Sequence, residues 1–193
     1  FVGREQLTSD LVERISAFPA HPIVVIGPSG SGKSSLLRAG VVAALRHQDD
    51  VVVLAAPTTL GDGARQAEAG SVLVVDQIEE VLGGDEAGAG RLVSELAGAS
   101  ARGVAVVIAL RSDFFDQALA IEPFPSWVAQ GLVVVPPLGA EDLRRVVLEP
   151  ARAVGIAVEP ALVDVLVAEA GEGAGPDRLL DSGALPLVSH ALW

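Results

Sequence analysis

Gly27-Pro28-Ser29-Gly30-Ser31-Gly32-Lys33-Ser34 fits G-x-x-x-x-G-K-[ST], and the residues on either side give this motif the setting it needs. Upstream, Ile23-Val24-Val25-Ile26 is a run of β-branched residues that reads as a buried strand; downstream, Ser35 to Arg46 reads as a helix. Glycines let such a loop turn until successive backbone N–H groups face phosphate oxygens, and the helix that follows adds its positive dipole end. The expected cradle is Pro28, Ser29, Gly30, Ser31, Gly32, Lys33, Ser34 and Ser35, with Lys33 reaching the β- and γ-phosphates and the Ser34 hydroxyl ligating Mg²⁺.

Four more apolar runs repeat the strand signal: Val51 to Ala55, Val72 to Val75, Val104 to Leu110 and Leu132 to Val135. Helical spacing recurs in Leu7, Leu11, Ile15 and Phe18, and again from Glu86 to Ala99 with Leu92, Val93 and Leu96. Buried strands alternating with helices predict an α/β fold, a doubly wound parallel sheet of five strands. One connection is tight. Pro57 to Gly70 barely holds the dozen or more residues of a parallel crossover. Either a very short helix around Asp62 to Ala69 serves, or residues are missing from the numbered sequence there, the reading preferred here. From Leu138 only helices are expected: Glu141 to Leu148, Pro160 to Ala170, a flexible break at Gly171 to Gly175, and a last apolar helix to Trp193. The expected organisation is a nucleotide-binding core over 1–137 and a small helical lid over 138–193.

The third run ends in an acid. Val72-Leu73-Val74-Val75-Asp76 is a Walker B pattern, and ligands of open α/β sheets bind at strand C-terminal ends, so Asp76 is expected beside the Lys33 loop, holding Mg²⁺ directly or through water. Glu79 and Glu80 follow. A carboxylate just past the metal ligand can polarise an attacking water, and Glu80 is preferred for it; equally, two adjacent acids suit the first turn of a helix. Arg111, at the tip of the Val104 to Leu110 run, is placed to read a γ-phosphate, or else to pair with Asp113 or Asp116. The expected catalytic set is Lys33, Glu79, Glu80 and Arg111.

Composition narrows the partners. A formal charge of −12 repels a phosphodiester backbone unless basic residues gather on one face, and Lys33 is the only lysine, so nucleic acid is disfavoured. The apolar runs are far too short to cross a bilayer. With no cysteine there is no disulfide, thiolate metal site or cysteine nucleophile. A start at Phe1 with no methionine anywhere predicts a segment of a longer chain, and a nucleotide site argues for the cytoplasm.

Other phosphate-binding classes lack their marks. There is no N-K-x-D, and Asp76 is followed by Gln77-Ile78-Glu79 rather than D-x-x-G, which weakens a GTPase reading. L-S-G-G-Q is absent, and so is a lid arginine cluster of the small-molecule kinase kind. An ATPase with an extra strand between the Walker strands remains. In order, Phe1-Val2-Gly3-Arg4-Glu5, Val25 to Gly40, Val74-Val75-Asp76-Gln77-Ile78-Glu79-Glu80, Ala109 to Phe115, Glu149-Pro150-Ala151 and Gly183-Ala184-Leu185-Pro186-Leu187 resemble the STAND signal-transduction ATPases, in particular the bacterial novel STAND class often linked to WD repeats. The resemblance implies that Gly3 and Arg4 lie near the adenine, that Arg111 is the first nucleotide sensor, and that Pro186 contacts the base and couples lid to core. It also implies ATP/ADP and Mg²⁺ as ligands, slow hydrolysis, self-association in the ATP state, and a linked effector and winged-helix domain beyond Trp193. The short Pro57 to Gly70 stretch departs from the family.

Overall fold

In the computed structural model the described residues are 2–17, 20–47, 52–57, 60, 64 and 67–170. The chain runs α1 (Glu5–Ser16), β1 (Ile23–Gly27), α2, β2 (Val52–Ala55), β3 (Val72–Val75), α3 (Glu79–Leu82), α4 (Glu86–Ala101), β4 (Ala105–Arg111), α5 (Phe115–Leu119), α6 (Phe124–Gly131), β5 (Leu132–Val134), α7 (Ala140–Ala153) and α8 (Pro160–Ala170). Helix α2 has three parts: an α-helical start at Lys33–Ser35, a π-helical stretch at Leu36–Val42 and an α-helical end at Ala43–His47.

The five strands form one parallel sheet in the order β2-β3-β4-β1-β5, so β4 lies between the two strands that carry the glycine loop and Asp76. Register aligns their C-terminal ends: Gly27 pairs with Arg111, and Val75 with Ile108. Because side chains alternate across a strand, each central run feeds two cores. Val24, Leu73, Val75, Val106, Ile108 and Leu110 pack on one face with Leu92, Val93 and Leu96 of α4 and with Phe124 and Trp127 of α6. Ile23, Val25, Val72, Val74, Val107 and Ala109 pack on the other with Leu11 and Ile15 of α1 and Leu36, Leu37, Val41 and Leu45 of α2. This two-sided burial is why those strands read as unbroken apolar runs rather than as alternation. The edge strands β2 and β5 are less buried, as Leu54 and Val134 show.

Two helices were not expected, α5 and α6. They fill the β4-to-β5 crossover, where Phe124 and Trp127 face the sheet with ring centroids 5.6 Å apart. In the β2-to-β3 connection half of the expected short helix, residues 62, 63, 65 and 66, lies outside the described residues. Of those described, Ala64 is helical, 67–68 have no regular structure, and Leu60, Ala64 and Ala67 are buried against the α4 face. Past β5, α7 and α8 share a smaller core of Leu138, Leu143, Val147 and Val163. The expected break at Gly171 to Gly175, the last helix and Pro186 lie outside the described residues.

Candidate functional site

The loop after β1 is closed by contacts that leave no room for larger residues. A Cβ on Gly27 would lie 2.4 Å from the Val135 carbonyl oxygen and 2.8 Å from Ser31 Oγ. Gly30 (φ 73°) and Gly32 (φ 86°) adopt the left-handed backbone that glycine takes without a Cβ penalty, and Gly32 immediately precedes α2. Ser31 is buried, and its Oγ has no hydrogen-bond partner. Pro28, Gly30 and Ser34 are half-buried, and Ser29 and Ser35 exposed.

Inside the loop Lys33 is 8% exposed, and its Nζ donates to the carbonyls of Gly27 (2.7 Å) and Pro28 (2.8 Å). Burial pulls its pKa below the ordinary lysine value, opposed by the nearby carboxylates of Glu79 and Asp76. Two carbonyl dipoles hold the ammonium without neutralising it. An anion at the loop would supply the missing charge, and a phosphate has the oxygens to accept the lysine's donors.

Asp76 leaves the end of β3 almost wholly buried. Ser34 Oγ donates to its Oδ1 at 3.1 Å, while Oδ2 accepts no hydrogen bond and has Arg38 Nη2 3.3 Å away at ion-pair distance. The next residue, Gln77, has φ 60°, the one positive φ outside glycine among the described residues. That left-handed turn, with Ile78 N–H donating to Ala109 O at 3.1 Å, swings the chain back over the tip of β4 and starts α3 there. Glu79 thereby points inward, 8% exposed, and its Oε2 accepts from the Arg111 backbone N–H at 3.3 Å. Glu80 is exposed, so the acid preferred from sequence is the one that faces away from the loop.

Arg111 is close to the loop, near enough for its charge to bear on Lys33, but its side chain is engaged elsewhere. It donates to both Asp113 carboxylate oxygens, from Nε at 3.1 Å and Nη2 at 2.6 Å, and lies 5.5 Å from the Phe114 ring centre. The sequence left this pairing open beside the sensor role. Gly3 (φ 86°) lies against α7, where a Cβ would come within 3.2 Å of Val146 Cγ2. Arg4 donates from Nη2 to Ser31 O at 3.0 Å and to Pro136 O, clasping the glycine loop to the segment after β5. Burial lowers its pKa, opposed by the charge of Asp142.

The residues fit a nucleotide with a divalent cation. The hydroxyl–carboxylate pair of Ser34 and Asp76 is a hard oxygen donor set, and Mg²⁺ is ordinarily held by one or two such protein ligands with phosphate oxygens and water completing the shell. The orphaned Asp76 Oδ2 and the unpartnered Ser31 Oγ both belong to this one place. Sequence reasoning missed Arg38 and Gln77. Ser34 and Arg38 are one helical turn apart, a spacing that places them on one face and gave a readable signal; nothing local announces the turn at Gln77.

Known proteins share this arrangement of elements. AMPPCP-bound DnaA from Aquifex aeolicus aligns over 97% of this chain and 61% of its own, with TM-score 0.63 and 10% identity. The ORC1 protein of Aeropyrum pernix, solved in complex with DNA, aligns over 99% of this chain and 59% of its own, with TM-score 0.67 and 18% identity. Domain III of the Thermotoga maritima replication initiation protein DnaA aligns over 100% and 87%, with TM-score 0.67 and 14% identity. At such identities the likeness is one of fold, and this chain spans about three-fifths of the first two structures. No curated protein matches the sequence. The family model described as Novel STAND NTPase 1 matches residues 1–62 and 48–193, two segments that overlap where β2 enters the short connection to β3. The chain is a P-loop NTPase that belongs to the Novel STAND NTPase 1 family.

Proposed function

We propose that this chain is an ATP-binding, slowly hydrolysing switch module. The observation that carries the reading is the convergence, at the ends of adjacent parallel strands, of buried Lys33, the Ser34–Asp76 pair and inward Glu79, with Arg111 turned aside onto Asp113. Lys33 and the loop from Pro28 to Ser35 hold the phosphates, and Ser34 and Asp76 hold Mg²⁺. The cation, when bound, draws charge from the phosphate oxygens and orients them. Glu79 accepts a proton from, and aligns, the attacking water, because it alone of the two acids faces the loop. Slow turnover is supported by the Asp113 pairing, which withholds Arg111 from the charge developing on phosphate.

The division into a core over 1–137 and a helical lid over 138–193 belongs to the same reading, with Gly3 and Arg4 between loop and α7 near the base and Pro186 contacting it. In this reading ADP holds the lid on the core, ATP favours an open, self-associating form that drives a linked effector, and the site works in the cytoplasm where ATP is. Among the described residues no helix is long and apolar enough to cross a membrane.

Binding of a fluorescent ATP analogue and single-turnover hydrolysis test the reading. Lys33→Ala is expected to lose binding; Glu79→Gln to bind normally and slow hydrolysis at least about a hundredfold, the lower end of general-base losses; Glu80→Gln to do neither. Unchanged turnover in all three would sink the site. The engaged Arg111 favours one rival, an ADP-holding scaffold without turnover, which predicts tight ADP and no single-turnover product. A DNA loader is a weaker rival. Several of the similar structures, the ORC1 protein among them, were solved with DNA, yet the −12 charge here works against a phosphodiester partner; salt-dependent DNA binding by this chain would favour it.

A further inference from the structure

Among the described residues, Arg38 is the one charged group on Asp76 that the phosphate-site chemistry does not use. It projects from the π-helical part of α2, one turn beyond Ser34, with its side chain 64% exposed and its Nη2 3.3 Å from Asp76 Oδ2. Asp76 itself is 7% exposed. A carboxylate that deep, with Ser34 Oγ on one oxygen and no hydrogen bond on the other, is costly without a cation.

We infer that Arg38 is a charge surrogate for the divalent cation: its guanidinium neutralises Asp76 while no metal is there and is displaced from it when Mg²⁺ binds. This rests on the reading of Ser34 and Asp76 as the metal ligands. The geometry supports a displaceable role rather than a fixed one. The guanidinium approaches the Oδ2 side from solvent, off the hydrogen-bond direction, so no bidentate clamp holds it. Its long side chain can swing out into water, where a guanidinium is well solvated, at little cost. Ser34 Oγ, by contrast, can remain on the shared face, since a hydroxyl oxygen keeps a lone pair for a metal while its hydrogen bonds the carboxylate. Two cations then compete for one carboxylate. The arginine sets the Mg²⁺ concentration at which the site fills, and it keeps the metal-free site in order.

The test compares binding of a fluorescent ADP analogue, in EDTA and across a Mg²⁺ titration, for wild type, Arg38→Gln, Arg38→Lys and Lys33→Ala. Removing the competing charge is expected to lower the Mg²⁺ midpoint roughly three- to tenfold in Arg38→Gln, the span of one partly screened ion pair. Affinity in EDTA should fall in the same variant, the melting temperature in EDTA should drop while that in saturating Mg²⁺ does not, and Arg38→Lys should restore most of both. An unchanged or higher Mg²⁺ midpoint in Arg38→Gln overturns the surrogate role. Equal losses of nucleotide affinity with and without Mg²⁺ also overturn it, because they make Arg38 a direct phosphate ligand. If Lys33→Ala binds as wild type does, the phosphate-site reading itself fails; loss in Lys33→Ala with no metal effect in Arg38→Gln removes the surrogate alone.

Discussion

The parallel sheet and the α7–α8 pair hold themselves together by different means. In the sheet β1, β3 and nearly all of β4 are fully buried, and the charged side chains at their ends, Lys33, Asp76 and Glu79, are buried and partnered. Around α7–α8 the buried core among the described residues is Leu138, Leu143, Val147 and Val163, while Val154, Ile156, Leu162 and Val165 are exposed and an open cleft of about 630 Å³ runs between Arg144, Leu148, Ile156 and Val163. Its ion pairs, Arg144 with Asp164 and Arg145 with Glu5 and Glu149, lie at the surface. Buried groups keep fixed positions, which phosphate chemistry needs, whereas exposed pairs over a thin core can be rearranged at small cost.

The widest test of this contrast sets Leu110→Ala against Leu143→Ala, both at residues with no exposed surface. Leu110→Ala is expected to cost about 2–5 kcal/mol and to lower the global urea midpoint. Leu143→Ala should strip hydrogen-exchange protection from α7 and α8 while the strands keep theirs, since a four-residue cluster opens below the global free energy. Equal global losses would make the two regions one cooperative unit and remove the distinction.

Gly27→Ala comes next, because it strikes the sheet where the site is made. The added Cβ meets the Val135 carbonyl, which cannot step aside without β5 moving, since Val135 N–H bonds Ile26 O at 2.7 Å. A loss of roughly 1–3 kcal/mol is expected, with nucleotide binding abolished. Wild-type stability and binding would mean that the loop is looser than its contacts require.

These sites differ in how far the sequence announced them. All five strands and the glycine loop were legible because two-sided burial writes itself as uninterrupted Val, Ile and Leu. The sheet order was legible only in outline: the extra strand between the Walker strands came from excluding other classes, while the pairing itself is a long-range fact. Helices α5 and α6 escaped because Pro123 and Pro125 and their shortness hide any period. The choice between Glu79 and Glu80 was illegible for a sharper reason. Adjacent acids are equivalent until a backbone turn aims one of them, and the turn is at Gln77, a residue type with no left-handed preference.

That turn supplies a smaller prediction. Gln77→Gly should relieve the left-handed penalty and raise stability by up to about 1 kcal/mol in urea, while loosening the chain that aims Glu79 and so slowing single-turnover hydrolysis. A β-branched residue there, as in Gln77→Val, should lose stability. Should Gln77→Gly be less stable than wild type, the strain would have to lie elsewhere.

The smallest effect sits where the two regions touch, at Glu5 and Arg145. Their carboxylate and guanidinium are 2.6 Å apart, and Arg145 also contacts Glu149 at 3.0 Å. Bonds from its own backbone N–H first, then from the Arg145 side chain and the Gly3 backbone, hold the Glu5 carboxyl below the ordinary glutamate range. With the folded pKa depressed, the pair's contribution is complete above the unfolded glutamate value, about 4.3, and is lost as pH falls through the lowered folded value. Both side chains are at the surface, so salt should weaken the tie as well. An NMR titration of the Glu5 carboxyl should therefore move back toward the ordinary value in Arg145→Gln, though not all the way, because the backbone donors remain; added salt should move the wild type in the same direction. A titration unmoved by either change would mean that α7 is not held to the start of α1 by this pair. Among the described residues, the clasp of Arg4 on Ser31 and Pro136 would then be the side-chain link left to carry coupling between the phosphate loop and the segment leading into α7.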